Sequence, residues 1–122
     1  MSSMPTKEFY FDQIEHEFAT AREAVRIGND GQARVCARRA VGQAITWFLL
    51  KFPHNGWGTD AMGQIKKLQE DNSFPQEVRS ASERLTTKIT QQFTSPFSTD
   101  PLDDAAIIIE HIKKIMEPKD EH

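Results

Sequence analysis

Four basic side chains stand out by type and spacing: Arg34, Arg38, Arg84 and Lys88. Arg34 and Arg38 lie one helical turn apart, on a stripe that continues as Val41, Ile45, Phe48 and Phe52. Arg84 and Lys88 repeat the four-residue interval further along the chain. A planar guanidinium holds carboxylates and phosphates through two parallel hydrogen bonds. The four side chains therefore form a candidate anion site, for a nucleotide, an RNA or another anionic ligand. An arginine on a core-facing stripe must find a partner, because an unpaired buried charge is costly. The structural alternative is an internal ion-pair network that fixes helix register. Its carboxylates would come from Asp100, Asp103 and Asp104, or from Asp12, Glu15 and Glu23. For Arg84 and Lys88 the alternative is a solvated face paired to Glu77 or Glu83.

Other reactive side chains are sparse. His16, His54, His111 and His122 show no metal-ligand spacing, and Cys36 has no cysteine or histidine near it in sequence. Cys36 is expected to act as a small buried hydrophobe. No P-loop, dinucleotide fingerprint or nucleophile elbow occurs, so no cofactor is implied. Trp57 stands between two glycines and is expected to plug the end of a bundle rather than mark a partner surface.

These residues must be positioned by helices. Phe11, Ile14, Phe18, Ala21 and Val25 follow a 3,4,3,4 spacing and predict a first helix over about residues 7–27. Gly28 suits a C-cap, and Asn29 or Asp30 suits the next N-cap. So short a connection predicts an antiparallel hairpin. The second helix runs from about Gly31 to Phe52 and stops at Pro53. Its alanines 33, 37, 40 and 44 allow close approach by another helix. Thr59 or Asp60 caps a short third helix with Met62, Ile65 and Leu68 on one face. After Pro75, a fourth helix carries Val78, Ala81, Leu85, Ile89 and Phe93. Asp100 and Pro101 start a fifth, which buries Leu102, Ala105, Ile108, Ile109, Ile112 and Met116. The fold class is all-α: an up-and-down bundle of four main helices plus one short one, a single domain over 1–122 with its ordered core at about 7–117.

Composition narrows the function. With 38% apolar and 27% charged residues, the chain has the balance of a globular protein rather than a disordered one. A net charge of −3 argues against a general nucleic-acid binder, and no helix shows the basic face of a sequence-specific DNA reader. The longest apolar run, near Ile45 to Leu50, is too short to span a bilayer. One cysteine and no leader-like N-terminus make the cytoplasm the expected location.

The layout resembles the HEPN superfamily (higher eukaryotes and prokaryotes nucleotide-binding domain). The resemblance is carried by FATAREAVRIGNDGQARVCARRAVGQAITWFL at 18–49 and SERLTTKITQQFTSPFSTDPLDDAAIIIEHIKKI at 82–115. In that family a hairpin with a Gly-Asn-type turn leads into an alanine- and arginine-rich helix, and a later helix follows an acidic cap. The resemblance implies a homodimer, and many members look like RNA-cleaving toxins with an Arg-x4–6-His motif. From Arg84 the motif's histidine would fall at Ile89, Thr90 or Gln91, and none is histidine. Acid–base cleavage needs a group that titrates near neutrality. The expected function is therefore a non-catalytic HEPN-like module that binds a nucleotide or other anion, or acts through protein contacts. The alternatives are a degenerate ribonuclease, with His16 or His111 recruited to Arg38 or Arg84, and an antitoxin-like or scaffold partner.

Overall fold

The computed structural model describes residues 6–53, 56–87 and 100–117. Five helices follow one another: α1 (Lys7–Arg26), α2 (Asp30–Lys51), α3 (Ala61–Glu70), α4 (Gln76–Thr86) and α5 (Pro101–Met116). No strand occurs among the described residues. The fold is the all-α bundle that the periodicity predicts.

Local chemistry sets the helix ends. Gly28 adopts φ +80°, a left-handed conformation that only glycine enters cheaply. Its N–H donates to the Val25 carbonyl, and the Asn29 N–H donates to the Ala24 carbonyl at 2.7 Å. This double closure is a Schellman turn, and it ends α1 within one residue. Asn29 then caps α2 by accepting from the Gln32 N–H. Asp60 and Asp100 cap α3 and α5 in the same way, and Pro101 occupies the first turn of α5. Each of these capping side chains is worth about 1 kcal/mol.

At the centre of the bundle lies α2, packed against α1, α3 and α5. Val41 and Ile45 are fully buried, as are Ala40 and Cys36. Burying a side chain like Ile45 contributes about 1.5–3 kcal/mol. Small residues draw the helices close: a Cβ built on Gly42 would stand 2.9 Å from the Ala61 Cβ of α3. At its C-terminal end α2 enters an aromatic cluster. Phe48 lies 5.8 Å from Phe74 and 6.2 Å from Trp57, ring centre to ring centre. Trp57 is buried, as its expected plugging role requires.

The buried faces differ from the sequence expectation in three places. In α1 the buried residues are Tyr10, Ile14, Ala21 and Ala24, while Phe11 and Phe18 sit at the margin and Val25 is exposed. The hairpin is closely packed through alanines, which leaves bulky rings to its flanks. Phe11 lies edge-on to Trp47 at 5.1 Å, with the Lys113 ammonium 4.8 Å from its ring centre. In α4, helical geometry stops at Thr86, because Thr87 is extended (ψ 134°). Two β-branched threonines in succession favour that stop; Ile89 and Phe93 lie outside the described residues. In α5, Asp104 is buried and Leu102 only half so.

Ile45→Ala is expected to lower unfolding free energy by about 2–5 kcal/mol, since the surrounding helices cannot collapse fully into the void. Urea denaturation followed by circular dichroism measures this, and an unchanged midpoint contradicts the assigned core.

Candidate functional site

The end of α4 decides what the arginines do. A helix leaves its last four carbonyls without intrahelical donors, and they carry partial negative charge. Thr86 and Thr87 cover part of this need: both hydroxyls donate to the Glu83 carbonyl, and Thr86 also to Ser82. Arg34 covers more. Its Nη2 donates to the carbonyls of Arg84 (2.7 Å), Leu85 (3.3 Å) and Thr87 (3.1 Å). One turn on, Arg38 donates through Nε to the Leu85 carbonyl at 2.6 Å. The expected carboxylate partners are thus replaced by backbone carbonyls. The physical reason is that α4 stops against α2, so its own unpaired acceptors are the nearest ones. Of the α1 carboxylates named as partners, Asp12 and Glu15 are exposed and Glu23 pairs with Arg26.

Arg84 turns to α5. Its Nε donates to Asp104 Oδ1 at 2.9 Å, across an ion pair whose carboxylate is almost wholly buried. Glu77 and Glu83 are both exposed and neither is ion-paired to it. Burial lowers the Arg34 pKa below the usual guanidinium value, partly offset by Asp104. Burial and then the neighbouring Arg34 charge lower that of Arg38. The corner therefore gathers three guanidiniums: Arg84 paired to the buried Asp104, Arg34 within reach of the same charge, and Arg38 beside Arg34. Lys88, the fourth expected member, lies outside the described residues.

Arg38 is the member with an open side. Its only hydrogen bond among the described residues runs through Nε. No buried side-chain nitrogen or oxygen among those residues lacks a partner. Each terminal nitrogen of Arg38 therefore keeps some exposure to solvent, although the side chain is half-buried. A guanidinium anchored at Nε with its outer edge free is preorganised for a planar anion.

A second arginine contact repeats the device. Arg79 of α4 donates through Nε to the Gln69 carbonyl in the last turn of α3, at 2.8 Å. Sequence spacing gave no signal for this, because every residue carries a carbonyl.

The remaining reactive groups stand elsewhere. His16 is exposed on α1. The His111 ring lies 5.6 Å from the Phe74 ring, at the start of α4 and away from Arg84. Burial, then the Lys114 charge, lowers its pKa from 6.5. Cys36 is fully buried and accepts from Gln32 Nε2 at 3.4 Å. Burial, then the Glu17 carboxylate, pushes its thiol up, so it stays protonated. Among the described residues no group of three or more His, Cys, Asp or Glu side chains is placed to hold a metal, and no helix is long and apolar enough to cross a membrane.

Compared with known proteins, the chain matches no family model, no curated protein and no solved structure.

Two outcomes test this geometry. Arg34→Ala removes a donor to three carbonyls and is expected to cost about 1–3 kcal/mol, the usual penalty for an abandoned acceptor. Arg34→Lys should recover only part of it, because the lysine ammonium ends one bond short of the Nη2 position that reaches all three carbonyls; full recovery in chemical denaturation would show that charge alone suffices. The second concerns pH. His111 has a folded pKa below 6.5, so the unfolded chain binds its proton first as pH falls. Its contribution is complete above 6.5 and is lost as pH drops through the lower folded value. His111→Phe should flatten that part of the stability profile between about pH 7 and 5, and an unchanged slope rejects the assignment.

Proposed function

We propose that this chain is a non-catalytic, HEPN-like helical module whose arginine corner takes a phosphate-bearing ligand, a nucleotide or an RNA strand. One observation carries the reading: the solvent-facing edge of Arg38, held in place by the Leu85 carbonyl. Local charge adds to it. Against three guanidiniums stand one buried carboxylate, Asp104, and about half a negative elementary charge from the α4 carbonyls, which leaves a positive excess. An anion at this corner would offset the excess. The hairpin closed at Gly28, the alanine-rich α2 and the Asp100 cap of α5 support the family likeness.

The chemistry of the arginines supports a non-catalytic role: arginine alone supplies no group titrating near neutrality, and the His111 ring packs against Phe74 while Arg84 pairs with Asp104.

A second reading, action through protein contacts as a homodimer, is favoured by exposed apolar side chains. Val25, Ile27 and Val35 flank the hairpin tip, and Phe9 and Leu50 are exposed near the opposite end of the hairpin. Isolated exposed apolar residues are ordinary, so their clustering is what counts.

Calorimetric titration with ATP and with a short single-stranded RNA tests the leading reading. Binding should weaken as salt rises, and Arg38→Ala should reduce affinity by about tenfold or more, the loss expected for a charge-assisted bidentate contact. Absence of binding to both ligands, or equal binding by the variant, overturns it. A dimer in light scattering would then leave the protein-contact reading in its place.

A further inference from the structure

On another side of α2 from the arginine corner lies a polar cleft of about 160 Å³ between α1, α2 and the start of α3. Glu17 reaches it from α1, and Arg39, Gln43 and Thr46 from α2. Thr59 and Gln64 complete the wall on the α3 side. We propose that this cleft binds a small zwitterion, an α-amino acid of about the size of glycine, with its ammonium toward Glu17 and its carboxylate toward Arg39.

The charges make the case. Glu17 and Arg39 line one cleft with opposite sign, yet they form no ion pair with each other or with any other described residue. Glu17 also meets the Cys36 thiol, and a molecule bearing both charges engages Glu17 and Arg39 together. Arg39 offers the carboxylate a planar fork, and Glu17 can accept up to three donors from an ammonium.

The rest of the cleft is fixed and polar. Thr46 donates its hydroxyl to the Gly42 carbonyl at 2.8 Å, which leaves the Thr46 oxygen as an acceptor toward the cleft. Gln64 is only 2% exposed, and its Nε2 donates to the Gly58 carbonyl at 2.9 Å. The amide is thereby locked in one orientation. Beneath it, the absence of a side chain at Gly42 lets α2 and Ala61 meet and closes the floor. One amide and one hydroxyl held in place lower the ordering cost of binding.

Size limits the ligand. The cleft measures about 160 Å³. It is smaller than the ~300–1,000 Å³ typical of drug-sized ligand sites. A nucleotide does not fit, so this site is separate from the one proposed at Arg38, and either can fail without the other.

Titration of the full chain with glycine, followed by amide chemical shifts, tests the inference. Methylammonium and acetate serve as half-ligands. Saturable shifts at residues 17, 39, 43 and 64 are expected with glycine. Each half-ligand should bind at least about tenfold more weakly, as should Glu17→Gln and Arg39→Gln with glycine, because each loses one charge-assisted contact. Both substitutions lie at the cleft rim, and unchanged melting curves establish that the variants are folded. No saturable shift with glycine overturns the proposal. So does acetate binding as tightly as glycine, which would make Arg39 a simple anion contact, or glycine binding unaffected by either variant.

Discussion

The unpaired carbonyls at the C-terminus of α4 are the constraint on which the arrangement of this chain depends. A helix of 11 residues is marginal alone, and its own threonines satisfy only part of the acceptors in its last turn. The chain answers with guanidiniums from a different helix. Arg34 and Arg38 tie α4 to the central helix, and Arg84, itself in that last turn, ties it to Asp104 of α5. Polar contacts of this kind specify as well as stabilise. An apolar face tolerates sliding, whereas a single guanidinium nitrogen aimed at three carbonyls favours one register.

That anchoring also explains why the core can be built of such modest pieces. Much of α2 is alanine, which contributes little apolar area but permits close helix approach. Bulk is concentrated at one end, where Phe48, Trp57 and Phe74 meet. The bundle thus has an aromatic end and an ionic end, with a seam of small residues between them. Guanidiniums gather at the ionic end, and a cleft of mixed charge lies on another side of α2.

Helix ends were legible in the sequence because they are decided locally. Gly28, Asn29, Asp60 and Asp100 each act on backbone groups within a few residues. The importance of Arg34 and Arg38 was legible too, since charge on an apolar stripe demands a partner. The identity of that partner was not. Carboxylates advertise themselves by residue type, but a backbone carbonyl is present at every position and becomes special only where a helix stops. Thr87, whose extended backbone sets that stop, looks in sequence like one more step in a helical repeat. Which of two adjacent aspartates is buried depends on about 100° of helix rotation, so Asp104 could not be told from Asp103 before α5 was placed. The same limit applies to α1, where Tyr10 rather than Phe11 turns inward. The cleft at Glu17 and Arg39 escaped notice because its residues read one by one as an ordinary hydrated surface.

The tight turn at Gly28 carries a kinetic implication. It joins the two longest helices with almost no intervening chain, so the interface between α1 and α2 closes at small entropic cost and can zip outward from the turn. The arginine brace is the opposite kind of contact. Its donors and acceptors are 47 to 53 residues apart, so it must await the arrival of α4. Assembly is thereby ordered in time: a hairpin that forms from its own local chemistry becomes the template, and its projecting guanidiniums select the correct docking of everything that folds after it.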